Sequence, residues 1–120
     1  MAHILVVEDI PANLALASKL LRSAGHEVLL AETASQGVAL AAEQLPDLVL
    51  MDLSLPDMDG REALRQLRRE DRTADLQVIA FTAHAMRGDR SQALAAGFDG
   101  YVSKPIDFAT FADTIGELLP

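Results

Sequence analysis

The chain has 120 residues, half of them hydrophobic and 23% charged, with a formal charge of −8 and no cysteine. That length suits one domain around one core, expected to span residues 1–120, and the composition is that of a folded globular chain, not a disordered one. The negative charge speaks against nucleic acid as a direct partner, the missing cysteines exclude disulfides, thiolate nucleophiles and Cys-based zinc sites, and no apolar run approaches the roughly 20 residues of a membrane span.

Short apolar runs rich in β-branched residues mark strands at 3–7, 27–31, 48–51, 77–81 and 101–102. The first is followed by Asn13, Leu16, Ala17, Leu20, Leu21 and Ala24 at helical spacing, stopping at Gly25, which predicts an amphipathic helix. Thr33 with Gln36 has the form of a capping box opening a second helix that ends before Pro46. Asp59 with Glu62 has the same form for a third, running through Arg69, and a fourth is expected from about Met86 to Ala96, ending at Gly97. A fifth carries Phe111, Ile115 and Leu118 on one stripe, with Asp107 as the expected N-cap; Phe108 lies off the stripe. Strict alternation of strand and helix predicts an α/β fold with a parallel sheet covered on both faces, and the run LVLM fits a strand buried on both sides.

Ligands of open parallel sheets bind at the carboxyl ends of the strands. The residues there are Glu8 and Asp9 after the first strand, Asp52 after the third, Thr82 after the fourth and Lys104 after the fifth. Three converging carboxylates repel one another and call for a hard divalent cation with oxygen ligands, Mg²⁺ first and Mn²⁺ as the alternative. Mg²⁺ commonly binds through few carboxylates plus a phosphate, and Lys104 and Thr82 are suited to holding phosphoryl oxygens. An Asp carboxylate can attack phosphorus to give an aspartyl phosphate, which makes Asp52 the expected nucleophile.

These positions fall within an ordered set: VVED at 6–9, LMDLSLPDMDG at 50–60, FTAH at 81–84 and YVSKP at 101–105. In this set the chain resembles, along essentially its whole length, the receiver domains of bacterial response regulators. The resemblance implies a flavodoxin-like, doubly wound five-stranded sheet of order 2-1-3-4-5 with five helices. It implies Asp9 as direct Mg²⁺ ligand, Glu8 acting mainly through water, Asp52 as ligand and phosphoacceptor, and the Ser54 backbone carbonyl completing the protein's share of the shell. Thr82 resembles the family's switch hydroxyl, Tyr101 its coupled aromatic and Lys104 its phosphate partner, with a cis peptide before Pro105. Ser54 and His84 fall where the family tunes phosphoryl lifetime. The segments AFTAHAMRGD and AAGFDGYVSKPID are most similar to single-domain regulators of the cell-fate type and to receivers appended to hybrid histidine kinases. Glu8 in place of the commoner Asp, and Ile10 in place of a frequent polar residue, are the departures.

The implied function is phosphorelay in the cytoplasm: a histidine kinase or histidine phosphotransferase donates the phosphoryl group, and the face of helix four, strand five and helix five changes its affinity for a downstream protein. The implied catalysis is confined to the domain's own phosphorylation and dephosphorylation, in a monomer or a phosphorylation-dependent dimer. Ile10, Leu14, Pro105 and Ile106, apolar near the rim, form the expected docking face, with Leu14 read as off the buried stripe of the first helix. Two other readings compete. An aspartate-nucleophile phosphohydrolase would carry a second Asp two residues after the nucleophile, where this chain has Ser54, and a pseudo-receiver would usually lack an acidic residue or the lysine. The last helix reaches the end of the sequence, leaving a stand-alone regulator and a receiver from a larger protein both open.

Overall fold

The computed structural model of the chain describes residues 2–82 and 89–120. Five strands, β1 His3–Val7, β2 Glu27–Ala31, β3 Leu48–Asp52, β4 Gln77–Thr82 and β5 Gly100–Ser103, alternate with helices α1 Pro11–Ser23, α2 Ala34–Gln44, α3 Gly60–Arg69, α4 Asp89–Ala96 and α5 Phe111–Leu118. All strand pairs are parallel and the order is β2-β1-β3-β4-β5, as the resemblance implies. Residues 86–88 of the expected fourth helix lie outside the described residues.

The alternation of strand side chains divides the core in two. Leu5, Val7, Val49, Met51, Val78 and Ala80 face one layer with Ala34, Ala41, Ala63, Leu64, Leu67 and Ala93 of α2, α3 and α4. Ile4, Val6, Leu48, Leu50, Ile79 and Phe81 face the other with Leu14, Ala17, Leu21, Phe111 and Ile115 of α1 and α5. Every residue of β3 is buried, as expected of a central strand covered on both faces. The winding direction therefore reverses between β1 and β3, and the crevice at their carboxyl ends is where Glu8, Asp9 and Asp52 emerge.

The expected helix ends hold in most places. Gly25 and Gly97 take φ of +94° and +108° after α1 and α4, a conformation glycine adopts without a Cβ penalty. Thr33 accepts from the Gln36 N–H at 3.1 Å, and the Gln36 side chain accepts from the Glu32 N–H at 3.0 Å. Asp59 caps α3 by accepting from the Arg61 N–H at 2.8 Å, but Glu62 does not reach back; it pairs with Arg65 and Arg69. Asp107 is not the cap of α5. Its carboxylate closes a turn by accepting from the Ala109 N–H, and Thr110 is the N-cap.

The phase of α1 also differs from the expectation. The buried positions are Leu14, Ala17, Ser18 and Leu21, while Asn13, Leu16 and Leu20 are half-buried and Ala24 is exposed. Leu14 is only 7% exposed, so it belongs to the core and not to a docking surface. Pro11 at the first turn and the Gly25 stop are compatible with either phase, and the small, polar Ser18, buried in the stripe, hides it from a reading based on hydrophobicity alone.

Candidate phosphoacceptor site

A cleft of about 470 Å³ opens at the carboxyl ends of the strands, lined by Asp9, Ile10, Asn13, Asp52, Ser54, Lys104 and Pro105. Glu8 lies beneath its floor with no solvent exposure, and Asp52 is 2% exposed. Carboxylate oxygens of Glu8, Asp9 and Asp52 lie within 4.8 Å of one another.

Lys104 joins this cluster from β5. Its backbone N–H donates to the Thr82 carbonyl at 2.8 Å, the peptide to Pro105 is cis, and its ammonium contacts Glu8 Oε1 and lies 3.2 Å from Asp52 Oδ2. The ammonium also stands 4.8 Å from the centroid of the Phe81 ring, a cation–π position. Phe81 is fully buried and leans on Phe111, so the lysine rests on a fixed surface. Thr82 is buried at the end of β4, and Tyr101 is half-buried on β5. The register pairs Ala80 with Tyr101 and Thr82 with Ser103, which puts both expected switch residues on adjacent strands.

Three carboxylates against one ammonium leave the cluster two negative charges in excess when all are ionised. Burial is the first cause that pushes the Glu8 carboxyl above its ordinary range; sharing with Asp52 adds to it, and Lys104 and the Ile10 N–H oppose it. Glu8 Oε1 touches the ammonium yet receives no aligned hydrogen bond, the one buried side-chain oxygen so placed among the described residues. Clustered carboxylate oxygens, one of them short of donors, fit a hard divalent cation such as Mg²⁺.

The loop between β3 and α3 folds back on itself. Ser54 and Asp59 form an isolated antiparallel bridge, the Ser54 N–H donates to Asp52 Oδ1 at 2.9 Å, and Gly60 approaches so closely that a Cβ there would lie 2.5 Å from the Asp52 carbonyl oxygen. Asp57, at the loop's far end, accepts from the Ala34 N–H at 2.8 Å, the Ser35 N–H at 2.9 Å and the Ser35 hydroxyl at 2.8 Å. The Ser35 and Ala34 N–H groups pull its pKa down to about 2. Asp57 and Phe81 lie inside the runs at 50–60 and 81–84, yet the sequence alone gives neither a role: the partners of Asp57 are 22 and 23 positions away, and Phe81 reads as an ordinary core residue.

Ile10 is 49% exposed and Pro105 is exposed, while Ile106 is half-buried against the α1 and α5 core. His84 lies outside the described residues.

The model of the response regulator receiver domain matches residues 4–116. The chain belongs to that family. This receiver domain is 38% identical over 119 residues to protein PilH of Pseudomonas aeruginosa, covering 99% of this chain and 98% of that protein. It is 36% identical over 116 residues to the polar-differentiation response regulator DivK of Brucella anthropi, covering 97% and 94%. Among solved structures it is similar to the receiver domain of sensor histidine kinase PA1611 of P. aeruginosa, with magnesium in its active-site cleft, at 37% identity, TM-score 0.87 and coverage of 98% and 96%. It is also similar to chemotaxis response regulator CheY4 of Vibrio cholerae, at 25% identity, TM-score 0.91 and coverage of 99% of each chain. DivK and the PA1611 receiver agree with the likeness to cell-fate-type regulators and kinase-borne receivers, while the similarity to CheY4 rests on the fold at lower identity. A receiver domain acts in two-component signalling, with histidine kinases or phosphotransferases on one side and target proteins on the other, and phosphorylation and Mg²⁺ binding are typical of the family. Among the described residues no helix is long and apolar enough to cross a membrane.

Proposed function

We propose that the chain accepts a phosphoryl group on Asp52 from a phosphohistidine donor, with Mg²⁺ held by Asp9, Asp52 and the Ser54 carbonyl and Glu8 behind them. The observation that carries this reading is the ammonium of Lys104 set against Glu8 and Asp52 where the three carboxylates converge. Bound Mg²⁺ supplies charge neutralisation to phosphoryl oxygens during transfer.

An Asp52 carboxylate oxygen forms a bond to phosphorus as the bond from phosphorus to the donor nitrogen breaks, the electron pair leaving with the imidazole. Lys104, held over Phe81, is placed to exchange its contact with Asp52 for a phosphoryl oxygen. Thr82 provides a hydroxyl to a second oxygen, and its shift is passed to Tyr101 and the face of α4, β5 and α5. The free energy involved is that of a population shift, a few kcal/mol. Ser54 and His84 are the proposed tuners of phosphoryl lifetime.

For docking of the donor protein the exposed apolar rim comprises Ile10 and Pro105, with Ile106 at its edge and Leu14 buried beneath it in the core. Phe108, 70% exposed two residues beyond Ile106, extends it. The phosphohydrolase reading has no observation in its favour, since Ser54 stands where the second Asp is needed.

The experiment is intact mass after incubation with acetyl phosphate, with and without Mg²⁺, on the wild type and Asp52→Asn. One phosphoryl addition that requires both Mg²⁺ and Asp52 is expected. No addition moves the chain to a phosphorylation-independent binding module, and rapid consumption of acetyl phosphate without accumulation restores the hydrolase.

A further inference from the structure

A metal shell assembled from separate strands needs its pieces held in register, and the two sides of this site are linked through α2. On one side, Gly37 of α2 lies so near β1 that a Cβ would come within 2.6 Å of the Val7 side chain, directly before Glu8 and Asp9. The Glu8 N–H is tied to the Ala31 carbonyl at the end of β2, three residues before α2 begins. Helix α2 is thus fixed against the strand that delivers two of the carboxylates.

On the other side, the start of α2 has N–H groups without intrahelical acceptors. Thr33 serves Gln36, and the first turn contains no acidic residue of its own. The remaining donors, Ala34 and Ser35, are both taken by Asp57 from the loop that carries Ser54. A carboxylate at a helix N-terminus also lies at the favourable end of the helix dipole. The loop is closed at its base by the Ser54 and Asp59 bridge and anchored at its far end by Asp57.

We propose that Asp57 is a positioning residue for the metal site, holding the Ser54 loop in register with Glu8 and Asp9 by way of the N-terminus of α2. Its carboxylate acts through Ser54 and does not itself touch the ion. This rests on the reading above, in which the Ser54 carbonyl is a ligand.

The test is titration with Mg²⁺ alone, followed by backbone amide shifts, on the wild type, Asp57→Ala, Asp57→Asn, Thr33→Ala and Asp52→Asn. Asp57→Ala is expected to weaken Mg²⁺ binding on the order of tenfold, the lower end of what supporting residues contribute to metal sites. The loss should persist in about 0.5 M KCl, which screens a plain charge effect. Asp57→Asn, keeping one acceptor oxygen, should fall between, and it decides the question if the alanine variant does not fold. Thr33→Ala removes a cap of the same helix without touching the loop, so it should lower the melting temperature and leave Mg²⁺ affinity unchanged. Equal loss of Mg²⁺ affinity in the Thr33 and Asp57 variants, a loss that vanishes in salt, or unchanged affinity in Asp57→Ala overturns the inference. If wild type and Asp52→Asn bind Mg²⁺ alike, the metal site itself is misassigned and the inference falls with it.

Discussion

Glu8 carries the clearest electrostatic signature of the site. Its carboxyl is pushed above the ordinary range, first by burial and then by Asp52, so in the metal-free protein the folded state holds a proton that the unfolded chain releases. Stability then falls as pH rises from the ordinary glutamate range through the raised one, because the folded state binds more protons there. Urea unfolding of the metal-free protein across that window should show the fall, and Glu8→Gln should flatten it. Asp57 has the opposite sign. Its pKa of about 2 means that its contribution is fully present above the ordinary aspartate range and is lost as pH falls toward about 2. The stability gap between wild type and Asp57→Asn, measured by chemical unfolding, should be constant near neutrality and close on acidification. At this scale the sequence was informative where chemistry and position coincide. Glu8, Asp9, Asp52, Thr82 and Lys104 could be read because strand ends in a parallel sheet converge on one crevice. Asp57 could not, since its meaning depends on a helix start 22 positions away; neither could Phe81, whose aromatic face matters only once Lys104 lies over it.

Among the elements, α1 shows how a hydrophobic pattern can be read one position out of phase. Leu14, Leu16, Leu20 and Leu21 surround much of the helix, so apolarity alone does not select the buried stripe; the sheet does, through Leu14, Ala17, Ser18 and Leu21. Donor docking should therefore be probed at exposed positions. Phe108→Asp, away from the cleft lining, should slow phosphotransfer from a histidine phosphotransferase by about tenfold or more, in line with an anchor residue at an interface, and leave phosphorylation by acetyl phosphate unchanged; Ile10→Ala, which adds no charge to the cleft, should act in the same direction on the protein donor. Equal rates with the protein donor would remove this rim from the docking face. The end of α2 offers a stability test. Leu45 occupies the left-handed region at φ +47° with its side chain exposed, a conformation costing roughly 1–2 kcal/mol for an L residue. Leu45→Gly should leave the urea midpoint within the equivalent of about 1 kcal/mol of the wild type, unlike a glycine at an unstrained helix position, because relief of the strain offsets the partial side-chain burial and the unfolded-state entropy given up. Helix boundaries were legible where Gly or a side-chain cap marks them, as at Gly25, Thr33 and Asp59, and less so at α5, where Asp107 caps a preceding turn.

For the whole molecule, strand-helix alternation was enough to give the class, while the strand order came from the resemblance and is the order found. The order sets the function's location, because only a reversal between β1 and β3 brings Glu8, Asp9 and Asp52 together. The excess charge of that cluster makes the folded state responsive to its cation. Mg²⁺ at a hundredfold excess over its dissociation constant should stabilise the fold by about 2.7 kcal/mol, a rise in melting temperature on the order of 10 °C for a domain of this size. Asp52→Asn should lose most of that rise while melting no lower than the wild type in metal-free buffer, since it removes one charge from a repelling set.

Phosphorylation on Asp52 is tested most directly by reducing the acetyl-phosphate-treated, Mg²⁺-loaded protein with borohydride, which converts an aspartyl phosphate to homoserine, and mapping the peptides by mass spectrometry. Homoserine at position 52, absent when Mg²⁺ is withheld, is the predicted result. Homoserine at another acidic residue, or at none while the domain is folded and bound to Mg²⁺, would contradict the assignment of Asp52 as the phosphoacceptor.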